Sequence, residues 1–249
     1  MKGVILAGGN GTRLHPLTAV TNKHLLPVYN KPIIYYSIET LVKCGIDKIM
    51  IVTSPHHIDD FVRLLGSGEH FISPKTKKQI QIVYGIQNSP SGIAYGLYIA
   101  KDYVGNDNCI LLLGDNIFED DFTNDIKDFK SGAKIFLKRV KNPSQFGIAS
   151  INKKGKIVEM VEKPKKPKSD IAVVGAYIYD NTVFDKMINQ PISERGEKEI
   201  TYINNLYLKE DGLDYSVLKK EWYDIGTIDS LLEASIHIKS NHAIKNKKR

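Results

Sequence analysis

Cysteine is scarce in this sequence, and no run of apolar residues is long. The 249 residues include only two cysteines, Cys44 and Cys109. They share no metal-binding or redox spacing, which excludes a disulfide scaffold and a cysteine zinc site. No segment approaches the roughly 18 consecutive apolar residues of a membrane span, and the first residues show neither the apolar region nor the cleavage site expected of a secretory leader. We therefore expect two buried free thiols in a cytoplasmic protein with no membrane partner.

The overall composition is that of a globular protein with a basic surface. Hydrophobic residues make up 42% of the chain and charged residues 25%, which allows a large core. The net charge of +7 comes mainly from lysine runs at residues 75–78, 163–168 and 245–249. Because these runs lack interleaved aromatic residues and a recognition-helix pattern, we expect no nucleic-acid partner. Nucleic-acid binding through the C-terminal run stays an alternative, and it predicts steeply salt-dependent affinity.

Apolar runs alternate with helical periodicity in the first half of the chain. The predicted strands are residues 3–7, 49–53, 80–84 and 109–113, and the predicted helices are residues 32–42, 59–65 and 93–104. This alternation predicts an α/β fold with a Rossmann-like, doubly wound, mostly parallel sheet. Ligands bind such sheets beyond the carboxyl ends of the strands, where the loops at 8–14, 87–92 and 114–116 would meet.

In the second half of the chain, the predicted strands follow one another with little helix between them. Its predicted strands are residues 133–139, 148–151, 157–162, 173–179 and 213–217, and its predicted helices are 182–189, 200–209 and 228 to about 238, with a loop at 222–227. This pattern indicates a small mixed β extension carrying a sugar-sized pocket. Because no linker or repeat is visible, we predict one domain over residues 1–239. Its nucleotide part would cover about 1–140, its sugar part about 141–227, and a basic tail would follow at 240–249.

A glycine-rich turn follows the first strand. Residues 8–11 include three glycines, and Arg13, Lys23 and Lys31 place three cations nearby. Such a turn can direct backbone N–H groups toward an anion, which is typical of a polyphosphate site. Taken alone, the loop fits a tight strand-to-helix turn with a solvated arginine equally well. It is neither a dinucleotide fingerprint nor a P-loop, because Leu14 stands where the former needs glycine and Arg13-Leu14 where the latter needs Gly-Lys.

Two aspartates and one lysine complete the candidate chemistry. Asp115 follows a buried strand and Asp224 precedes a helix, so both could face the same sheet edge. Two carboxylates and substrate phosphates are the usual ligands of Mg²⁺. Asp115 fits a turn former equally well, and Lys163 fits an ordinary surface lysine.

Taken together, these motifs resemble the sugar-1-phosphate nucleotidyltransferase family. The resemblance covers essentially residues 2–238 and rests on motifs in the family's order and spacing, namely residues 6–14, 23–27, 31–32, 114–116, 162–164 and 222–226. Residues 34–36, 65–68, 114–118 and 195–201 are similar to the branch that uses dTTP and glucose 1-phosphate. The resemblance implies that the sugar phosphate attacks the α-phosphorus of the nucleotide and that pyrophosphate leaves. Mg²⁺ would be the cofactor.

The resemblance also implies roles for individual residues. Arg13, Lys23 and Lys163 would be catalytic, and Asp115 and Asp224 would hold the metal. The implied nucleotide-binding residues are Leu6, Gly8, Gly9, Gly11, Thr12, Arg13, Gln87, Gly92 and Asp115. The implied sugar-phosphate-binding residues are Asn116, Gly147, Glu162, Lys163, Val174, Tyr177, Arg195 and Trp222.

The sequence departs from the branch at two positions. Tyr95 stands where the branch usually has glutamine, and Tyr202 where it usually has aspartate. Both lie near loops that shape base or sugar preference, so UTP in place of dTTP, or use of both, is the alternative within the class. A non-catalytic sugar-nucleotide-binding regulator is the alternative outside it. The family also implies a homodimer or homotetramer, although the segment that forms a regulatory site in longer members is not present in these 249 residues.

Overall fold

The computed structural model describes residues 1–247 and the side chains of residues 1–244. Residues 248 and 249 of the predicted tail, and the side chains of its lysine run, lie outside the described residues. Within residues 1–247, no helix has the length and apolar character needed to cross a membrane. Cys44 and Cys109 are both buried free thiols, as the sequence predicts.

Thirteen strands, eight α-helices and three single-turn 3₁₀ helices, at Thr12–Leu14, Lys23–Leu25 and Pro143–Gln145, make up the regular structure of the described residues. The strands are β1 (Lys2–Ala7), β2 (Pro27–Val28), β3 (Lys31–Pro32), β4 (Lys48–Thr53), β5 (Gln81–Ile86), β6 (Cys109–Leu113), β7 (Asn116–Phe118), β8 (Ala133–Arg139), β9 (Gly147–Ile151), β10 (Ile157–Glu162), β11 (Ile171–Tyr179), β12 (Leu213–Val217) and β13 (Trp222–Asp224). The helices are α1 (Ile33–Lys43), α2 (Ile58–Leu65), α3 (Ile93–Ile99), α4 (Lys101–Val104), α5 (Thr123–Asp128), α6 (Val183–Met187), α7 (Ile200–Lys209) and α8 (Ile228–Lys247).

One nine-stranded sheet runs through both halves of the chain. Its parallel half has the order β5-β4-β1-β6, and β1 sits between β4 and β6 with Val4 opposite Met50 and Leu111. Its other half contains β8–β12, in which β11 pairs antiparallel with β6, β8 and β9. The doubly wound α/β fold and the mixed β extension are therefore confirmed, and the two parts share one sheet.

Helices cover both faces of the sheet because its strands alternate their side chains. Val4 and Leu6 of β1 face a cluster that includes α3, α4, α6 and α7. Ile5 and Ala7 point the other way, into a cluster with α1 and α2. A third, smaller cluster holds Leu231 and other residues of α8 against the glycine-rich segment and α1. The glycine-rich segment that follows β1 therefore packs, through Leu14, against both α1 and α8.

Several predicted boundaries are wrong in ways that concern the site. Residues 222–227 were expected to form a loop, but β13 pairs antiparallel with β7, which places Asp224 opposite Asn116. The predicted helix 93–104 is split at Ala100 into α3 and α4. The final helix continues to Lys247, so most of the predicted solvated tail is helical. Three-residue strands and polar helix ends show little hydrophobic periodicity, so the sequence does not reveal where such elements begin and end.

Candidate active site

The candidate site lies where the parallel strands end. A cleft there is lined by residues from the end of β1, the 87–93 segment, Lys23 and Asp115. The backbone at this edge is tightly joined, since the Gly114 N–H donates to the Leu6 carbonyl at 2.9 Å. The Ile225 N–H donates to the Asp115 carbonyl at 2.9 Å, which brings Asp224 beside Asp115. The loops that the sequence predicted to converge do meet.

The glycine loop is shaped by close neighbours. Gly11 has φ of 60°, in the left-handed region that favours glycine. A Cβ at Gly9 would lie 3.4 Å from the Lys23 Nζ, and a Cβ at Gly8 would lie 3.2 Å from the Gln87 Oε1. Larger residues would therefore crowd Lys23 and Gln87, two side chains that the sequence assigned to the site. Thr12 follows on a single 3₁₀ turn with Arg13.

Lys23 forms an ion pair with Asp115 at the floor of the cleft. Burial alone would raise the pKa of Asp115, but the Lys23 ammonium and neighbouring hydrogen bonds hold that pKa at about 2. Asp115 is therefore ionised at neutral pH. A charged carboxylate is the form that binds a cation or accepts hydrogen bonds.

Asn22 and His24 were not predicted from the sequence, although they hold Lys23 in place. The Asn22 Oδ1 accepts from the His24 N–H at 2.9 Å and contacts the His24 Nδ1 at 2.6 Å. The Asn22 Nδ2 donates to the Ala7 carbonyl at 3.1 Å. Burial, reinforced by the Lys23 charge, lowers the pKa of His24 to about 3, so the ring is neutral. An asparagine before a short helix was the available signal, since it is a typical N-cap.

Asn116 bridges the two aspartates. Its Nδ2 donates to the Asp115 Oδ1 at 3.0 Å and to the Asp224 Oδ1 at 3.1 Å. Its Oδ1 accepts from the Trp222 Nε1 at 2.7 Å and from the Gly175 N–H at 3.2 Å. Every hydrogen-bonding position of this amide is therefore used within the protein. The side chain that the family resemblance assigns to the sugar is engaged with the carboxylates.

The two carboxylates have opposite pKa shifts. Burial and repulsion from Asp115 raise the pKa of Asp224 to about 6, against the opposing effect of Lys23 and Arg13. Two neighbouring anions oppose each other's ionisation, and a cation placed between them relieves that opposition. A bound divalent ion would therefore stabilise the state in which Asp115 and Asp224 are both ionised.

The aspartates fit Mg²⁺ in number and in chemistry. One oxygen of Asp115, in the turn between β6 and β7, and one of Asp224, at the end of β13, converge on one amide nitrogen. Hard carboxylate oxygens are the ligands that Mg²⁺ takes together with substrate phosphates. Among the described residues, no group of three or more His, Cys, Asp and Glu side chains could hold a metal by itself. An ion here would therefore depend on substrate oxygens as well.

Arg13 lies over the turn that follows β13. A Cβ at Gly226 would lie 2.6 Å from the Arg13 Nη2, so glycine at that position leaves room for the guanidinium. In the described part of the chain, the Arg13 side chain forms no hydrogen bond or ion pair. Its charge nevertheless acts on Asp224, whose pKa it helps to lower. Arg13 is thus an exposed cation next to the two carboxylates.

Gln87 and Gly92 lie on the opposite wall of the cleft. The Gln87 N–H donates to the Thr53 carbonyl at 2.8 Å, and the residue is 8% exposed. Its side-chain amide has no hydrogen-bond partner among the described residues. Gly92 has φ of 97°, and a Cβ there would lie 2.5 Å from the Lys198 carbonyl oxygen. The close approach brings Glu197, another residue not predicted from the sequence, into the cleft lining.

The residues predicted to bind the sugar phosphate include a hydrogen-bonded group around Glu162. The Thr201 Oγ1 donates to the Glu162 Oε2 at 2.5 Å, and the Arg195 Nη1 lies 3.3 Å from the Glu162 Oε1. Burial raises the pKa of Glu162, and the Thr201 hydrogen bond opposes that shift. Arg195 also pairs with Glu197 and Glu199, at 3.1 and 3.4 Å. The predicted phosphate contact is therefore surrounded by three carboxylates.

Gly147 begins β9 directly opposite the end of β10. A Cβ there would lie 2.9 Å from the Thr201 Oγ1 and 3.1 Å from the Glu162 Oε2. Thr201 was not predicted as a site residue. A threonine in the first turn of a helix next to a buried glutamate gave no distinguishing signal in the sequence.

Lys163 and Trp222 both contact Phe146. Lys163 is exposed and has φ of 40°, which is unusual for a residue other than glycine. Its N–H donates to the Phe146 carbonyl at 3.0 Å. The Phe146 ring packs edge-on against Trp222, with centroids 5.5 Å apart. Tertiary contacts thus hold Lys163 in a conformation that its own backbone disfavours.

Tyr177 and Val174 lie on opposite faces of β11. Tyr177 is 3% exposed, and burial with the charges of Glu162 and Asp224 raises the pKa of its hydroxyl well above the usual range. The Tyr177 hydroxyl therefore stays protonated at neutral pH. The Val174 side chain is buried in the core beneath α1, so only its main chain could reach a ligand.

The fold and this edge of the sheet are those of a nucleotidyltransferase. The model of the nucleotidyl transferase family matches residues 2–241, and the chain belongs to that family. The chain is 45% identical to the glucose-1-phosphate thymidylyltransferase of Mycolicibacterium smegmatis over 245 residues, which are 96% of this chain and 83% of the relative. It is 42% identical to the enzyme of the same name from Neisseria meningitidis over 252 residues, covering 99% of this chain and 85% of that one.

Solved structures agree with this assignment. A Bacillus anthracis crystal structure, described as a candidate glucose-1-phosphate thymidylyltransferase in complex with sucrose, superposes with a TM-score of 0.88 at 46% identity. The match covers 95% of this chain and 94% of that one. A UDP-glucose pyrophosphorylase complexed with UDP-glucose superposes with a TM-score of 0.83 at 23% identity, over 96% and 98% of the two chains, and shows the shared fold alone.

Proposed function

We propose that this enzyme transfers a thymidylyl group from dTTP to glucose 1-phosphate, giving dTDP-glucose and pyrophosphate. The observation that carries the proposal is the group of Asp115, Asn116 and Asp224, which lies beside Lys23 at the end of β6. The names of the Mycolicibacterium and Neisseria relatives support the choice of both substrates.

The nucleotide would bind in the cleft at the parallel edge. The loop at residues 8–11 offers backbone N–H groups to the β- and γ-phosphates, and Arg13 adds a planar cation for the leaving pyrophosphate. The unpaired amide of Gln87 can both donate and accept, so it can read the N3 and O4 edge of a pyrimidine. Lys23 lies next to the same cleft and would contact the triphosphate.

Asp115 and Asp224 would hold Mg²⁺ where their carboxylates meet at the Asn116 amide. When bound, the ion supplies Lewis-acid stabilisation of the charge that develops on the α-phosphate. Asn116 keeps both carboxylates directed at one point before substrate arrives. Lys23 neutralises Asp115 in the free enzyme. The two carboxylates therefore already lie close together, and little rearrangement of their side chains is needed when the metal binds.

The sugar phosphate would approach from the side of β10 and β11. Lys163 is exposed at the end of β10 and would neutralise the attacking phosphate, which is already ionised and needs no general base. Arg195 would add a second cation once the phosphate competes with its carboxylate partners. Catalysis then depends on alignment of two anions and on charge neutralisation, as in other phosphoryl transfers.

Pyrophosphate release tests the proposal. The purified protein is incubated with Mg²⁺, glucose 1-phosphate and one nucleoside triphosphate at a time, in parallel with Asp115→Asn. We expect strong release with dTTP and a fall of about 10²- to 10³-fold in kcat for Asp115→Asn, because several kcal/mol of metal stabilisation are lost. An equal rate with UTP would keep the mechanism and change the nucleotide, since a pocket discriminates one methyl by only about 1–3 kcal/mol.

The location and assembly of the enzyme are part of the same proposal. Two buried free thiols support a reducing cytoplasmic setting. The family resemblance supports a homodimer or homotetramer, which sedimentation of the purified protein measures directly. A monomer at all concentrations would contradict that assembly.

A further inference from the structure

The orientation of the Asn116 amide is set by two groups that can only donate. The Trp222 Nε1–H and the Gly175 N–H both point at the Asn116 Oδ1, at 2.7 and 3.2 Å. An amide oxygen must face such donors, so the Asn116 NH₂ group must face the aspartates. The assignment of oxygen and nitrogen therefore follows from the neighbours.

Strand register explains why these groups meet. In the β7–β13 ribbon, Asn116 lies directly opposite Asp224, and Trp222 lies two residues before Asp224. Residues two apart on a strand share one face, so the indole and the Asp224 carboxylate lie on the same side of the ribbon. A Cβ at Gly175 would lie 2.6 Å from the Asn116 Oδ1, so glycine is needed for the close approach of β11.

Trp222 is itself fixed by packing. Its ring meets Phe146 edge-on with a centroid distance of 5.5 Å. Phenylalanine at position 222 would retain most of this aromatic contact and lose only the indole N–H donor. The substitution therefore separates the hydrogen bond to Asn116 from the shape of the wall.

We propose that Asn116 is a positioning residue for the two metal-binding aspartates, oriented by the Trp222 indole, and that neither side chain acts mainly by binding the sugar. This inference rests on the proposed metal role of Asp115 and Asp224. The NH₂ group donates one hydrogen to each carboxylate and so holds two mutually repelling anions together. Loss of that group, or of its orientation, weakens cation binding and leaves the sugar pocket intact.

The test compares Mn²⁺ binding with sugar-phosphate kinetics. Mn²⁺ is titrated into the protein saturated with dTDP-glucose, and the free ion is followed by electron paramagnetic resonance. The variants are Asn116→Ala, Asn116→Ser and Trp222→Phe. Tyr223→Phe is the matched control, because it removes a polar hydrogen from the neighbouring aromatic residue, which packs against His237 instead. Thermal unfolding identifies any variant that fails to fold.

We expect the Mn²⁺ dissociation constant to rise about 10- to 100-fold in the Asn116 variants, the range typical of residues that orient metal ligands. Trp222→Phe is expected to show a smaller rise, and Tyr223→Phe none. The KM for glucose 1-phosphate stays within about twofold of wild type in all of them.

The inference is overturned if the variants change the kinetics with glucose 1-phosphate and not the binding of Mn²⁺. If KM for glucose 1-phosphate rises while Mn²⁺ binding is unchanged, Asn116 and Trp222 are sugar contacts. If Trp222→Phe matches Tyr223→Phe in both measurements, the indole does not orient the amide. A wild-type protein that forms dTDP-glucose without binding Mn²⁺ removes the metal premise, whereas one that forms no dTDP-glucose refutes the proposed function itself.

Discussion

The parallel and antiparallel halves of the sheet contribute to the site in different ways. In the parallel half, β1, β4, β5 and β6 all end at one edge, so each following loop reaches the cleft. In the other half, neighbouring strands run in opposite directions, apart from β8 and β12, which pair in parallel. Site residues there come from the start of β9, the end of β10 and the middle of β11. Loop position is therefore a good guide to function in the first half and a poor one in the second.

The two halves also differ in how their polar groups are occupied. In the parallel half, the side chains of Arg13 and Gln87 have no hydrogen-bond partner within the described residues. In the other half, Glu162 and Arg195 are already paired with each other and with further groups. Arg13 and Gln87 are thus free to contact a ligand, whereas a phosphate would have to compete with the carboxylates around Arg195.

The largest effect is expected at the open, cationic end of the nucleotide half. Arg13→Ala removes the exposed guanidinium beside Asp224 and should lower kcat/KM for dTTP about 10²-fold or more, as for other preorganised charge donors. Steady-state kinetics measure this. Arg63→Ala is the control, since the Arg63 side chain is 80% exposed and lies on α2. Equal effects from the two variants would contradict a specific role for Arg13.

Substitutions of Lys163 test both its backbone strain and its proposed contact with the sugar phosphate. Lys163→Ala and Lys163→Gly should both lower kcat/KM for glucose 1-phosphate about 10- to 100-fold, because a charge-assisted contact is lost. The left-handed backbone at this position costs a residue with a Cβ about 1 kcal/mol. Lys163→Gly should therefore unfold with a free energy at least as large as Lys163→Ala in urea titrations. A clearly less stable glycine variant would show that the backbone is unstrained.

Gln87 tests base recognition in the nucleotide half. Gln87→Ala should raise KM for dTTP about 3- to 10-fold, since it removes one or two hydrogen bonds. The ratio of dTTP to UTP use should stay unchanged, because both bases present the same N3 and O4 groups. Gln81→Ala, at the exposed start of β5, the strand that Gln87 follows, serves as the control. A changed ratio would mean that Gln87 senses the methyl group of thymine.

The smallest effect is expected from Thr201, which supports the sugar half. Thr201→Val removes the hydrogen bond to Glu162 and should raise KM for glucose 1-phosphate a few-fold, with KM for dTTP unchanged. Burial already raises the pKa of Glu162, and the Thr201 hydrogen bond holds it down. Its removal should therefore move the acid limb of the pH profile to higher pH. A shift toward lower pH would contradict this assignment.

The sequence predicted the parallel half well because its strands are continuous apolar runs. Each run identified both a strand and the loop after it, including the glycine loop and Asp115. The β7–β13 ribbon was missed because three-residue strands have no measurable period. The saturated hydrogen bonding of Asn116 could not be predicted either. It depends on the register of that ribbon and on Gly175, a residue distant in the sequence.

The ion pairs of the polar segment between α6 and α7 could not be predicted from the sequence, for a different reason. The family resemblance identified Arg195 as a phosphate contact, and the structure surrounds it with Glu162, Glu197 and Glu199. Alternating charges in a loop do not specify which pairs form, because several pairings satisfy the same charges. The segment is held against the first half of the chain by backbone hydrogen bonds at Lys198, whose N–H donates to the Ser91 carbonyl at 2.8 Å and whose carbonyl accepts from the Ala94 N–H at 3.2 Å.

The central claim is that both halves deliver one phosphate group each to the Asp115 and Asp224 pair. Phosphorus NMR of the purified protein with dTTP, glucose 1-phosphate and Mg²⁺ tests it most directly. We predict equal growth of the dTDP-glucose and pyrophosphate signals, stopped by a chelator and restored by added Mg²⁺. Growth of inorganic phosphate instead, or product formation that a chelator leaves unchanged, would contradict the account.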